Sequence, residues 1–303
     1  DKMAEKAACE QLENERTREL NDVAQSISYG DVHAGIDICV NRISTVDEEL
    51  VEQYNAISGP LLDISRQLQK SLLQQLKDKQ RGGKQTGLMM GRRLDAHALC
   101  RNDGKVFYKN ALPNEIPQMS VGLLLDESGS MCSCDRCTYA RSSAIILYDF
   151  CKALHIPVTV YGHSTSGNSV ELYSYAEFES IDNDDKYRLD HMMDIAARGS
   201  NRDGAALRFV AEQLVKRPEE VKILILVSDG QPAAPGYYGS AAEEDLRGIR
   251  QEYRRKGVLF IAAAIGEDKQ NIERIYGDSF MDITDLNQLP VKLTAAVKRH
   301  MRV

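Results

Sequence analysis

An aspartate and two serines end an apolar run in LLLDESGSMCSC, at positions 123–134. Asp126, Ser128 and Ser130 have the spacing D-x-S-x-S, and residues at this spacing in a tight turn can point at one centre. Gly129 allows such a turn to close. Hydroxyl and carboxylate oxygens are the ligands that select a hard divalent cation. The stretch therefore predicts part of a site for Mg²⁺ or Mn²⁺.

Two further polar loops have the composition that would complete such a site. GSNRDG (199–204) directly precedes a predicted helix and contains Asn201 and Asp203, and SDGQP (228–232) ends the most apolar strand with Asp229. In an open parallel sheet, ligands bind where the carboxyl ends of the strands meet such loops. If the strands are neighbours, Asp229 faces the first aspartate, and two such carboxylates repel each other unless a cation lies there.

The elements that must position these loops follow from the hydrophobic pattern after Met119. Short apolar runs such as SVGLLLD (120–126), KILILVSD (222–229) and VLFIAAAIG (258–266) alternate with amphipathic segments of helical period. Continuous apolar strands, each followed by a helix, indicate a mostly parallel sheet with helices on both faces. VELYSYAEF (170–178) follows its predecessor after a short loop, which predicts an antiparallel edge strand.

The first part of the chain has almost no strand signal. A break at SGP (58–60) is expected to start or kink a helix, whose apolar stripe packs on its neighbours or forms a partner-binding coiled coil. RGGKQTG (81–87) is predicted to be a flexible joint and KVFYKN (105–110) a strand. The predicted divisions are a helical extension at 1–80, a linker with a lead-in helix or strand at 81–117, and the α/β domain at 118–303.

Composition excludes several classes of function. The formal net charge of the 303 residues is −7, which argues against a nucleic-acid partner. The longest apolar runs are too short to span a bilayer, so no membrane association is expected. Seven cysteines, an odd number in a chain of this size, argue against a disulfide framework and for a reducing compartment, so we predict a cytoplasmic location.

A cluster of cysteines follows the D-x-S-x-S turn. Cys132, Cys134 and Cys137 have the spacing C-x-C-x-x-C and could offer three thiolates to a soft metal. A fourth ligand is not evident, since Cys151 lies about 20 Å further along the same predicted helix. Two interpretations stay open: reduced thiols without a function, or a second site for zinc, an iron–sulfur cluster or redox chemistry.

The three loops, in this order, resemble the metal-ion-dependent adhesion site of von Willebrand factor A (VWA) domains over residues 118–303. The resemblance implies a Rossmann-like VWA fold that binds Mg²⁺ or Mn²⁺. Adhesion-type domains have a threonine where this sequence has Asn201, so Asn201 or a water-mediated Asp203 is expected in its place. The other ligands that it implies are Asp126, Ser128, Ser130 and Asp229.

A narrower resemblance extends to the C-terminal region of the cobalt chelatase T subunit and to NorD-type nitric oxide reductase activation proteins. These families work beside MoxR-like AAA+ ATPases in metal chelation or metalloenzyme maturation. The resemblance implies a non-catalytic accessory subunit whose ion takes an acidic side chain of a protein partner as its last ligand. The segments that carry it are GRRLDAHALCRNDGKVFYKN (91–110), NRDGAALR (201–208) and YRRKGVLFIAAAIGEDKQNIERIYGD (253–278).

Two other functions stay open. A Mg²⁺-dependent aspartyl phosphatase would use Asp126 as its nucleophile, although such enzymes have a second acid where this sequence has Ser128. A redox or zinc sensor would use CSCDRC (132–137). No G-x-x-x-x-G-K-[ST] loop is present, so ATP hydrolysis is expected from the partner. Glu127 is expected to point away from the ion as a surface charge.

Overall fold

The computed structural model describes residues 2–80, 84–91, 93–99, 104–110, 118–133, 135–180, 188–230, 232–265, 269–282, 285–288, 291–292 and 295. Its strands are β1 Asp37–Arg42, β2 Lys84–Leu88, β3 Arg93–Leu94, β4 Phe107–Asn110, β5 Met119–Asp126, β6 Val158–Ser166, β7 Ser169–Ala176, β8 Val221–Ser228, β9 Ala233–Ala234, β10 Tyr237–Tyr238, β11 Val258–Ala264 and β12 Phe280–Asp282. Its α-helices are α1 Lys2–Gln25, α2 Glu48–Gln80, α3 Arg136–Ala153, α4 Arg188–His191, α5 Asp203–Val215, α6 Gly239–Arg255 and α7 Lys269–Tyr276.

Seven of the described strands form one sheet in the order β1-β7-β6-β5-β8-β11-β12. Its neighbouring strands are parallel, apart from the antiparallel pair β6 and β7. This topology confirms the predicted fold class and the antiparallel strand. The outermost place beside β7 is taken by β1, a strand that the sequence analysis does not predict.

Helices cover both faces of this sheet. Leu124 on β5 belongs to an apolar cluster that also contains Ala24 of α1, Leu207 of α5 and Leu246 of α6. Its neighbours in β5 point to the opposite face and are also fully buried. Helix α3 contacts β5 and β6. Burial on both faces explains why these strands are continuously apolar in sequence.

The predicted N-terminal helices are present as α1 and α2, and the strand β1 lies between them. Its buried residues Ile38 and Val40 alternate with exposed ones, as in a strand with one covered face. Two apolar residues are too few for a periodicity signal, so the strand escapes sequence analysis. Residues 1–68 belong to the same compact unit as residues 118–303.

Helix α2 runs through Pro60, so no new helix starts at 58–60, and the alternative of a kink there stays a prediction. A proline inside a helix removes one backbone hydrogen bond, and packing of the rest of the helix can offset that loss. Leu61 and Leu68 are both buried along the same helix, on either side of a fully buried Ser65. None of the described helices is both long and apolar enough to cross a membrane.

Residues 69–117 form a second compact unit. Within it β2, β4 and β3 form an antiparallel sheet, and β4 confirms the strand predicted at 105–110. The predicted flexible joint at 81–87 is a strand from Lys84 onwards, and its first three residues lie outside the described ones.

The free edge of β1 is capped by side chains of α1. Asn21 bonds Val40 twice: its amide nitrogen donates to the carbonyl at 2.9 Å, and its amide oxygen accepts from the backbone nitrogen at 2.8 Å. Gln25 donates to the carbonyl of Ile38 at 3.1 Å. A sheet edge with unpaired backbone groups is a template for pairing with another chain. The two amides of α1 therefore close this edge.

We expect Asn21→Ala to lower the free energy of unfolding by about 1–2 kcal/mol, because it leaves the two backbone groups of Val40 without partners. Alanine also raises helix propensity, so Asn55→Ala at an exposed position of α2 serves as the control for that gain. Urea unfolding measures the stability difference, and light scattering measures self-association through the opened edge. Equal unfolding curves for the two variants would contradict the capping role.

Candidate metal site

The first and third polar loops leave neighbouring strands. β5 and β8 are parallel, with Leu125 opposite Val227, so the strands end side by side at Asp126 and Ser228. The expectation that these two strands are neighbours is confirmed. The second loop leads into α5, which begins at Asp203.

Asp126 is completely buried and accepts three hydrogen bonds. The donors are the backbone nitrogen of Ser128 at 2.8 Å, the hydroxyl of Ser228 at 2.9 Å and the amide nitrogen of Asn201 at 3.2 Å. Burial raises the pKa of Asp126 and the charge of Asp203 raises it further, while the charge of His163 and the hydrogen bonds from Ser128 oppose the shift. Ser228 belongs to the SDG motif, but the sequence analysis does not select it.

A chain of oxygen atoms joins the first loop to the third. The hydroxyls of Ser128 and Ser130 lie 2.9 Å apart, and the hydroxyl of Ser130 donates to Asp229 Oδ1 at 3.0 Å. A hydroxyl whose proton goes to a carboxylate keeps its lone pairs for a cation. The donor set of hydroxyls and carboxylates therefore fits a hard divalent ion.

Arg136 forms an ion pair with Asp229 that the sequence analysis does not predict. Its Nη1 lies 2.6 Å from Asp229 Oδ2, at the first residue of α3. Burial raises the pKa of Asp229 and the charge of Asp126 raises it further, whereas Arg136 and Ser130 lower it. The arginine thus offsets one of the carboxylate charges at the site.

The second loop brings both of its predicted residues to the site. Asn201 donates its amide nitrogen to Asp126, while its amide oxygen accepts from the backbone nitrogen of Ala233 at 2.6 Å. This places the oxygen of Asn201 toward the β9–β10 hairpin. Asp203 is buried, and its Oδ1 lies 3.2 Å from Nε2 of the fully buried His163. The choice between Asn201 and Asp203 as a ligand stays a prediction.

Glu127 is fully buried, so the expectation of a surface charge is wrong. Its carboxylate accepts from the Tyr175 hydroxyl at 2.8 Å and from Arg198 Nε at 2.6 Å. Burial raises its pKa to about 7, against the lowering effect of Arg198. The side chain occupies space that Gly162 leaves free on the neighbouring strand β6. Glu127 therefore fastens the loop after β5 to the sheet.

Arg202 lies between Asn201 and Asp203 and is almost completely buried. Its Nη1 donates to the carbonyl of Val32 at 3.3 Å, and its Nη2 donates to the carbonyl of Pro235 at 2.5 Å. Burial lowers its pKa, opposed by the charges of nearby acidic groups. The guanidinium thereby joins the second loop to the turn between β9 and β10 and to the segment before β1.

Three more side chains complete a buried polar group that we call the Arg202 cluster: His33, Arg202, Tyr237 and Asp245. Asp245 Oδ2 lies 3.0 Å from His33 Nε2 and accepts from the Tyr237 hydroxyl at 2.8 Å. The three partners crowd the Cα of Gly204, where a Cβ atom would overlap with them. A lone histidine and a loop tyrosine show no spacing signal, so sequence analysis could not find this cluster.

The cysteine segment lies only partly within the described residues. Cys132 is exposed, Cys137 is half-buried, and Cys134 lies outside the described residues. Burial raises the pKa of Cys137, which disfavours a thiolate there. Across the described part of the chain, no group of three or more His, Cys, Asp or Glu side chains could hold a metal. The candidate site therefore depends on its serine hydroxyls, and a role for the cysteines stays a prediction.

Comparisons with known proteins find similarity to CobT and NorD, and the family match includes the second and third loops but not the first. The family described as "Cobalamin biosynthesis protein CobT VWA domain" matches residues 174–301. Uncharacterized protein YojO of Bacillus subtilis (strain 168) is 26% identical over 206 residues, which are 64% of this chain and 32% of that protein. Protein NorD of Brucella suis biovar 1 (strain 1330) is 34% identical over 97 residues, which are 31% of this chain and 15% of that protein.

The chain therefore spans about a third or less of the length of these curated relatives. Among solved structures, the vWF domain of the type V pili tip protein Mfa5 from Porphyromonas gingivalis is similar with a TM-score of 0.45. It is 10% identical, over 63% of this chain and 98% of that one. The family match and the NorD similarity confirm the resemblance that the motifs indicate.

Proposed function

We propose that this chain is a von Willebrand factor A protein that acts as a Mg²⁺- or Mn²⁺-dependent protein-interaction module, on the basis of its similarity to the CobT VWA domain and to NorD. The observation that carries the proposal is the chain of oxygens from Ser128 through Ser130 to Asp229, beside the buried carboxylate of Asp126. These residues, with Asn201 or Asp203, would hold the ion. When bound, the ion supplies a positive charge that attracts a carboxylate.

The charges of the site favour an acidic partner. Arg136 offsets the charge of Asp229, so the hydroxyls and the remaining carboxylate leave a divalent ion under-neutralised. An acidic side chain of a protein partner would complete its ligands. Ser130 is exposed, which leaves one side of the site open to such a side chain.

We place this module in an accessory subunit that works with a MoxR-like AAA+ ATPase in metal chelation or metalloenzyme maturation. The support is the similarity to CobT, whose description names cobalamin biosynthesis, and to NorD. On this proposal the chain is not itself an enzyme, and its compartment is the cytoplasm. The burial of Asp126 and its three hydrogen bonds argue against a nucleophile in the aspartyl phosphatase sense.

Calorimetric titration with Mg²⁺ and Mn²⁺, under reducing conditions, tests the site. We expect saturable binding of one ion, and a loss of affinity of at least about 100-fold in Asp126→Ala, because a carboxylate ligand is removed. Asp22→Ala, at an exposed position of α1, is the matched control and should bind like the wild type.

Pull-down of a MoxR-like ATPase with added Mg²⁺, and again with a chelator, then tests the partner. Retention that needs both the ion and Asp126 is the expected result. Absence of saturable binding in the wild type, or equal affinities for wild type and Asp126→Ala, would reject the metal site. Retention that persists in the chelator would reject the ion-dependent contact.

A further inference from the structure

His163 ends the apolar part of β6 directly beside the metal site. It is the register partner of Asp126 in the neighbouring strand, and its side chain is fully buried. Its Nε2 lies 3.2 Å from Asp203 Oδ1, close enough for an ion pair, although the two atoms are not aligned as a hydrogen bond. Neither ring nitrogen has another hydrogen-bond partner among the described residues. The imidazole therefore has the carboxylate of Asp203 as its ion-pair partner.

Neighbouring residues constrain both the backbone and the carboxylate of Asp203. Its backbone begins α5 and is fixed there by the buried Arg202 next to it. Its carboxylate lies within ion-pair distance of His163, and 2% of the side chain is exposed. Asp126 is instead surrounded by the donors Ser128, Ser228 and Asn201. The carboxylates of Asp126 and Asp203 thus have different partners.

We propose that His163 keeps Asp203 out of the inner ligand shell of the ion. This inference rests on the proposed metal site and specifies its ligands. The ion then receives carboxylate oxygens only from Asp126 and Asp229, and the latter is shared with Arg136. His163 is a positioning residue in this proposal, because it acts through Asp203.

The pairing decides what kind of partner the module can bind. A third carboxylate of the chain in the shell would neutralise the ion and repel an acidic side chain from outside. With Asp203 held by His163, the shell keeps a position and a positive charge for the carboxylate of the partner. A neutral amide or hydroxyl ligand would not benefit from that charge to the same extent. His163 therefore favours acidic partners over neutral ones.

The test is a double-mutant cycle in the full chain, with Mn²⁺ alone as the probe. We expect His163→Phe to free Asp203, which tightens Mn²⁺ binding by about 10-fold. The number of water molecules on Mn²⁺, measured by water-proton relaxation, should fall by about one, because a carboxylate replaces a water. Asp203→Asn alone should change the affinity by less than about 3-fold, and His163→Phe/Asp203→Asn should return to the wild-type value.

His163→Gln keeps a donor toward Asp203 and should resemble the wild type in both affinity and water number. A loss of affinity above about 10-fold in Asp203→Asn would overturn the proposal, because Asp203 would then be a ligand in the native chain. An unchanged water number in folded His163→Phe would also overturn it. If His163→Phe does not fold, Asp203→Asn and His163→Gln decide the question alone. Absence of Mn²⁺ binding in the wild type would instead reject the proposed function itself.

Discussion

Gly162→Ala should lower the free energy of unfolding by about 3–5 kcal/mol, an unusually large effect for adding one methyl group. A Cβ atom on Gly162 would overlap with Oε1 of Glu127 and lie 2.7 Å from its Cδ. It would also lie 3.1 Å from a ring carbon of Tyr175. The carboxylate would have to move away from Tyr175 and Arg198, which now bind it, and a buried charge would lose its partners. Thermal unfolding measures the loss as a fall in Tm of roughly 10 °C.

The matched control is Gly162→Ala in a variant that lacks the obstructing side chain of Glu127. Glu127→Ala removes the carboxylate, and Arg198, which is 30% exposed, can then be solvated. Gly162→Ala in the Glu127→Ala background should therefore cost less than about 1 kcal/mol. If Gly162→Ala lowered the free energy of unfolding equally in the wild type and in Glu127→Ala, Gly162 would not be needed to make room for Glu127.

Arg202→Met should lower the free energy of unfolding by about 3 kcal/mol and weaken Mg²⁺ binding by about 10-fold. Methionine fills a similar volume but leaves the carbonyls of Val32 and Pro235 without their charged donor. The effect on the ion follows because Asn201 and Asp203 flank Arg202 on the same loop. Urea unfolding gives the first quantity, and calorimetric titration gives the second.

Arg217→Met is the matched control for that change. Arg217 binds Glu219, two residues further on, and lies over the ring of Phe178, and all three residues are outside the three loops. Its guanidinium is partly exposed, so the same substitution should cost less than about 1 kcal/mol and leave Mg²⁺ affinity unchanged. If the two arginine variants were equally stable and bound Mg²⁺ equally well, the Arg202 cluster would have no positioning role.

The part of the site that sequence analysis finds consists of groups at strand ends. Asp126 and Asp229 end continuous apolar runs, and adjacency of two parallel strands is enough to bring them together. Ser128 and Ser130 follow in the same turn, so local spacing places them as well. These residues need only the fold class and a motif to be found.

The residues that sequence analysis misses depend on contacts between distant segments. Glu127 sits in the same motif as its neighbours, and only the space left by Gly162 shows that it points inward. His163 is a lone histidine at the end of an apolar strand until the second loop brings Asp203 to it. Arg202 looks like a loop charge, yet its partners come from residue 32 and residue 235. The spacing of residues in the sequence does not reveal contacts between segments that are this far apart.

The position of β1 has a consequence for the order in which the chain folds. Asp37 pairs with Ser169, so this edge of the sheet cannot form until the chain has been synthesised beyond β7. Contacts this distant in sequence slow folding, although the entropic cost of closing a long loop grows only slowly with its length. Helix α1 is adjacent to β1 and can bind Val40 through Asn21 as soon as both have left the ribosome. During synthesis, α1 can therefore cover one edge of β1 before β7 is available to pair with the other edge. This limits the pairing of β1 with other chains.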